Sequence, residues 1–105
     1  MDFELYHTVR NIEKSIKEKY NLKVFDIYIP TIDMDEFSLI FQENENDPKT
    51  VKAVIDDFVE ILKSKDYNYR FDSETPSPIQ ISDVNEYGKV VRETTKNYYT
   101  VIKEE

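Results

Sequence analysis

Nucleophilic catalysis and metal binding lean on histidine and cysteine. This chain has one histidine, His7, and no cysteine. A Cys–His pair and a thiolate metal site are therefore impossible. A Ser–His–Asp arrangement would need a serine in a nucleophile-elbow setting such as GxSxG, and no serine has one. His7 reads as a surface or boundary residue of the first helix. The single glycine, Gly88, excludes GxGxxG and phosphate-binding loops, which need several glycines for close backbone approach.

Carboxylates are what remain. The chain carries 22 Asp and Glu, so pairs arise by chance. A carboxylate hydrolase needs one acid in apolar surroundings that raise its pKa. Asp26, within LKVFDIYIP, is the one acid deep in an apolar run. The expectation is that it points outward on the exposed sheet face, paired with Lys23 or Arg70. Calcium could use Asp33, Asp35 and Glu36, or Glu43, Glu45 and Asp47, but neither run has the EF-hand spacing and its glycine. No catalytic, cofactor-binding or metal-ligating residue is expected.

The same six carboxylates stand together in TIDMDEFSLIFQENENDP, residues 31–48, with no Lys or Arg among them. They account for six of the eight net negative charges. Asp33, Asp35 and Glu36 fall in an expected hairpin turn, and Glu43, Glu45 and Asp47 in the next connection. The stretch thus makes two negative clusters, one at each end of the expected sheet. These suit a partner with a basic face, which they would also steer. Tyrosine is the second excess, at eight residues. It buries area while keeping a polar handle, and it is enriched at interfaces. Tyr67 and Tyr69 share one face of an expected strand, and Tyr98 and Tyr99 fall near the chain's end. Asp33, Asp35, Glu36, Glu43, Glu45, Asp47 and these four tyrosines are the candidate partner-binding residues.

These residues need elements to position them. Leu5, Val9, Ile12, Ile16 and Tyr20 recur at helical spacing, which predicts a helix over 2–20 with Asp2 as its cap. Residues 22–30 predict a strand with Phe25, Ile27 and Ile29 on one face. Residues 37–42 predict its hairpin partner, with Phe37, Leu39 and Phe41 inward. Asp47 and Pro48 open a second helix over 48–65, with Val51, Val54, Ile55, Phe58, Val59 and Leu62 as its stripe. YNYRFD, 67–72, alternates as a third strand, and 79–81 adds a short edge strand. From Asp83 to about Lys103, Val84, Tyr87, Val91, Tyr98 and Ile102 gather on one side at 100° per residue. Asp83 with Glu86 resembles a capping box. That predicts a long C-terminal amphipathic helix in which Gly88 allows close packing.

The expectation is one domain over residues 1–105, in the order α-β-β-α-β-(β)-α. This is an α+β fold of two layers, a small antiparallel sheet covered by helices, with the first strand in the sheet's middle. A net charge of −8 opposes direct nucleic-acid binding. No apolar run reaches membrane-span length, and MDFELYHTVR has neither the basic start nor the apolar run of a signal peptide. Absence of cysteine suits a reducing cytoplasm. The expected function is a small, acidic, cytoplasmic, non-enzymatic protein-binding factor: an adaptor, a chaperone-like factor or an inhibitor. Its sharpest version is a nucleic-acid mimic that blocks a basic groove. The alternatives are a homodimer or larger homo-oligomer built through the terminal helix and, behind it, a carboxylate enzyme.

Overall fold

The computed structural model describes residues 2–42, 47–74 and 79–104, by backbone alone at 42, 79–84 and 90–96. The elements are α1 (Phe3–Lys19), β1 (Asp26–Tyr28), β2 (Glu36–Gln42), α2 (Pro48–Ser64), β3 (Tyr69–Glu74), β4 (Ile79–Val84) and β5 (Val90–Lys103). The fold is α+β, with two helices and an antiparallel sheet.

Both helices form for the reasons the spacing gives. Leu5, Val9, Ile12 and Ile16 are the buried stripe of α1, and Val51, Val54, Ile55, Phe58 and Leu62 that of α2. Asp2 accepts the Leu5 amide at 3.0 Å and Asp47 the Thr50 amide at 3.1 Å, each satisfying an orphan donor. The two helices end alike. Leu22 N–H donates to the Lys17 carbonyl and Tyr67 N–H to the Leu62 carbonyl, both at 2.9 Å. The residues before them, Asn21 and Asp66, adopt φ of 53° and 67°. This is the Schellman closure, with Asn and Asp in the left-handed place that glycine usually takes. Lys19 and the Tyr20 hydroxyl then tie α1 to Asp57 of α2.

The sheet runs β1-β2-β5-β3, with β4 also paired to β5. Phe25, Ile27, Phe37, Leu39, Phe41, Tyr69, Tyr99 and Val101 share one core with the buried stripes of both helices. One sheet face is therefore the helix side. Phe37 lies 5.6 Å from Phe58 and 4.9 Å from Tyr69, ring centre to ring centre, and Phe41 lies 5.5 Å from Tyr99. The inward residues of the first two strands are as the alternation predicts, though β1 contracts to three paired residues. β3 starts two residues later than expected, and β4 extends three residues beyond the expected 79–81.

Two expectations fail. The C-terminal helix is instead a hairpin of β4 and β5. Gly88 N–H closes on the Asn85 carbonyl at 3.0 Å, and Asn85 Oδ1 accepts from the amides of Tyr87 and Lys89. Gly88 itself has φ +77°. A turn followed by a left-handed glycine is a standard three-residue hairpin connection, so Gly88 reverses the chain rather than packing inside a helix. The Asp83–Glu86 capping box has no helix to cap. Second, β1 is at the sheet edge, not its middle, because β3 pairs with β5 instead of returning beside β1. The free edge of β1 is closed by α1. Glu13 accepts the Ile27 amide at 2.6 Å, and Arg10 donates to the Ile27 carbonyl at 2.7 Å.

β2 pairs with β5 only as far as Lys96, and β4 pairs with it from Lys96 to Val90. Among the described residues, the far half of the hairpin is thus a two-stranded ribbon. The molecule is elongated, 49 × 30 × 26 Å.

Candidate partner-binding surface

The candidate binding residues are spread over several parts of the molecule. Asp33, Tyr67 and Tyr69 do meet, at one end of the sheet, lining a cleft of about 350 Å³. Three carboxylates join them: Asp2, Asp66 and Glu104. Each arrives by a different local rule. Asp2 is the cap of α1, and Asp33 lies in the β1–β2 connection. Asp66 holds the left-handed closing position of α2. Glu104 follows β5, where its N–H donates to the Asn68 carbonyl at 2.9 Å. Lys103 is the one cation among the cleft residues.

Burial and nearby carboxylates, Asp2 among them, act on both cleft tyrosines. Burial, then the charges of Asp35 and Asp2, push the Tyr69 phenol up to about 12. Burial and the charges of Asp2 and Glu4 also raise the Tyr67 phenol. An uncharged hydroxyl is thus retained where a phenolate would meet carboxylates. Tyr69 is 4% exposed, and its hydroxyl donates to the Met34 carbonyl at 2.6 Å. It forms the floor of the cleft, and half-buried Tyr67 its wall.

The other candidates lie elsewhere. Glu36 opens β2 and stands opposite Ile102 on the open side of the sheet. Asp47 is committed to capping α2. Glu43 and Glu45 lie outside the described residues, so the expected second acidic cluster is represented by Asp47 alone. Tyr98 and Tyr99 are strand neighbours on opposite faces rather than helix residues. Tyr98 stands opposite the buried Ile40 on the face turned away from the helices, while Tyr99 is buried against Phe41. Asp26 is outward as expected, its side chain 59% exposed, with Arg10 at 3.9 Å. Arg10 is not an expected partner; Arg70, one of the two that are, lies 3.9 Å from Asp72. Solvated in this way, Asp26 lacks the apolar setting of a general acid. Glu13 has a pKa raised chiefly by burial, but its carboxylate is occupied by the Ile27 amide and Arg10.

Sequence reasoning missed Asp2, Asp66 and Glu104 as site residues. Asp2 was visible only as a cap. Asp66 and Glu104 carry no local signal, since tertiary folding alone brings the two chain ends, the first hairpin and the end of α2 together. Among the described residues, no helix is long and apolar enough to cross a membrane. No protein-family model, curated protein or solved structure matches the chain.

Proposed function

We propose that this chain is a non-enzymatic protein-binding factor of the cytoplasm, and that it takes a basic segment of its partner into the acidic, tyrosine-walled cleft. The observation that supports this reading is the convergence of Asp2, Asp33, Asp66 and Glu104 on one concave surface with a single lysine. Gathering like charges works against the compact state. A cationic segment relieves that repulsion, and Tyr67 offers its ring to a guanidinium or ammonium. The carboxylates steer encounter as well as hold the complex. In the narrower version, the partner is a nucleic-acid-binding protein, and the carboxylates stand where phosphates otherwise would.

Assembly through a C-terminal helix has no element to act through, since that segment is the central strand of the sheet.

The test is capture of partners from source-cell lysate on the wild-type chain and on Asp33→Lys/Glu104→Lys, with graded salt washes. The Debye length falls from about 8 Å at physiological salt to about 3 Å at 1 M. A partner released by salt and lost on the variant, with the variant's circular dichroism unchanged, is the expected result. Capture indifferent to both salt and charge reversal contradicts the proposal.

A further inference from the structure

A second feature, the outer edge of β3 beside the cleft, fits a different kind of ligand. Lys103 N–H donates to the Asp35 carbonyl, on the β2 side of β5, and Glu104 N–H to the Asn68 carbonyl, on the β3 side. Bonding direction alternates along an antiparallel strand. Ile102 therefore bonds toward β3, and Arg70, its register partner, bonds back. The N–H and C=O groups of Tyr69 and Phe71 then point out of the sheet. Among the described residues, no strand pairs with that edge. Beside it, α2 and the sheet border two adjoining hollows of about 310 and 300 Å³, which share Ile55, Asp56 and Phe71. Val51, Val59 and Tyr99 complete the apolar lining. Phe71 is 44% exposed there.

Free strand edges invite pairing, and the residues here select the guest. A second copy fits poorly. Pairing Tyr69 with the partner's Phe71 aligns the free backbone groups but sets Arg70 against Arg70, and like charges directly opposite destabilise a sheet. Centring on Phe71 instead pairs Arg70 with Asp72, but sets Tyr69 opposite Ser73. The register shift between Phe71 and Ser73 restores Ser73 to pairing with β5, so its backbone groups are taken. A foreign strand with an acidic residue opposite Arg70 avoids both faults. Its flanking residues, opposite Tyr69 and Phe71, fall on the helix side, against Ile55, Val59 and Phe71, with the charged Asp56, Glu60 and Lys63 at the α2 rim. The exposed Arg70–Asp72 pair, 3.9 Å apart, holds Arg70 only weakly.

We propose that the β3 edge binds an extended segment of a partner protein with the pattern apolar–acidic–apolar, by strand addition along the α2 groove. This site adjoins the acidic cleft, with which it shares Asn68, Tyr69 and Glu104, but reads the opposite charge through Arg70.

The test is selection from a random displayed peptide library against the full chain, followed by hydrogen exchange with the enriched peptides. The expected consensus has an acid flanked at both sides by apolar residues. Bound peptide slows exchange of the Tyr69 and Phe71 amides. Arg70→Glu weakens the peptide about tenfold and favours its acid-to-lysine version, whereas Asp33→Lys leaves binding unchanged. Absence of that consensus, unaltered exchange at Tyr69 and Phe71, or indifference to Arg70→Glu overturns the proposal. So does protection of these amides that rises with protein concentration alone, because the occupant is then a second copy.

Discussion

Tyr69 donates its buried hydroxyl to the carbonyl of Met34, a residue with φ 56° and 1% exposure. A bulky side chain in left-handed backbone is strained, and it persists here because burial and the Tyr69 bond fix it. Tyr69→Phe leaves that carbonyl unpaired, and the expected loss is about 1–3 kcal/mol in urea unfolding. The same residue sets an alkaline limit. Its phenol titrates near 10 when unfolded and about 12 when folded. A raised folded pKa contributes stability that is fully present below pH 10 and is lost as pH rises through 12. Two pH units correspond to about 2–3 kcal/mol. Unfolding followed between pH 9 and 12 therefore shows a steep loss in the wild type and a shallower one in Tyr69→Phe. At this scale the sequence was partly legible: composition pointed to Tyr67, Tyr69 and Asp33. Asp66 and Glu104 could not be found, because proximity across the chain leaves no mark on neighbouring residues.

Both helices and the inward face of β2 were readable because each buries one side only, so period and burial coincide. β5 was not. It is central, with Tyr99 and Val101 inward and Tyr98 and Ile102 outward, so apolar residues occupy both faces and the alternation is lost. A spurious helical period then outweighed the strand propensity of its Val, Thr and Tyr residues. Misreading β5 also misplaced β1, whose edge position makes its cover important. Glu13 and Arg10 occupy the outward amide and carbonyl of Ile27, closing an edge that would otherwise be open to pairing. Glu13→Ala leaves the Ile27 amide without its acceptor, at an expected cost of about 1–3 kcal/mol. Sedimentation of this variant at rising concentration is expected to show association that the wild type lacks. A monomeric variant of unchanged stability would remove the edge-cover role.

Across the whole molecule, a net charge of −8 is unevenly spread. The sequence places one acidic cluster at each end of the second strand. Folding adds Asp2, Asp66 and Glu104 beside Asp33, which gathers four carboxylates in the cleft at one end of an elongated body. The central claim is that this cleft, rather than net charge alone, selects a basic partner. A nuclear magnetic resonance titration of the ¹⁵N-labelled chain with a lysine- and arginine-rich peptide tests it most directly. Amide shifts confined to Asp33, Asp66, Tyr67 and Glu104, abolished by high salt, are the predicted result. Shifts spread over all acidic surfaces, or none at the cleft, would contradict it.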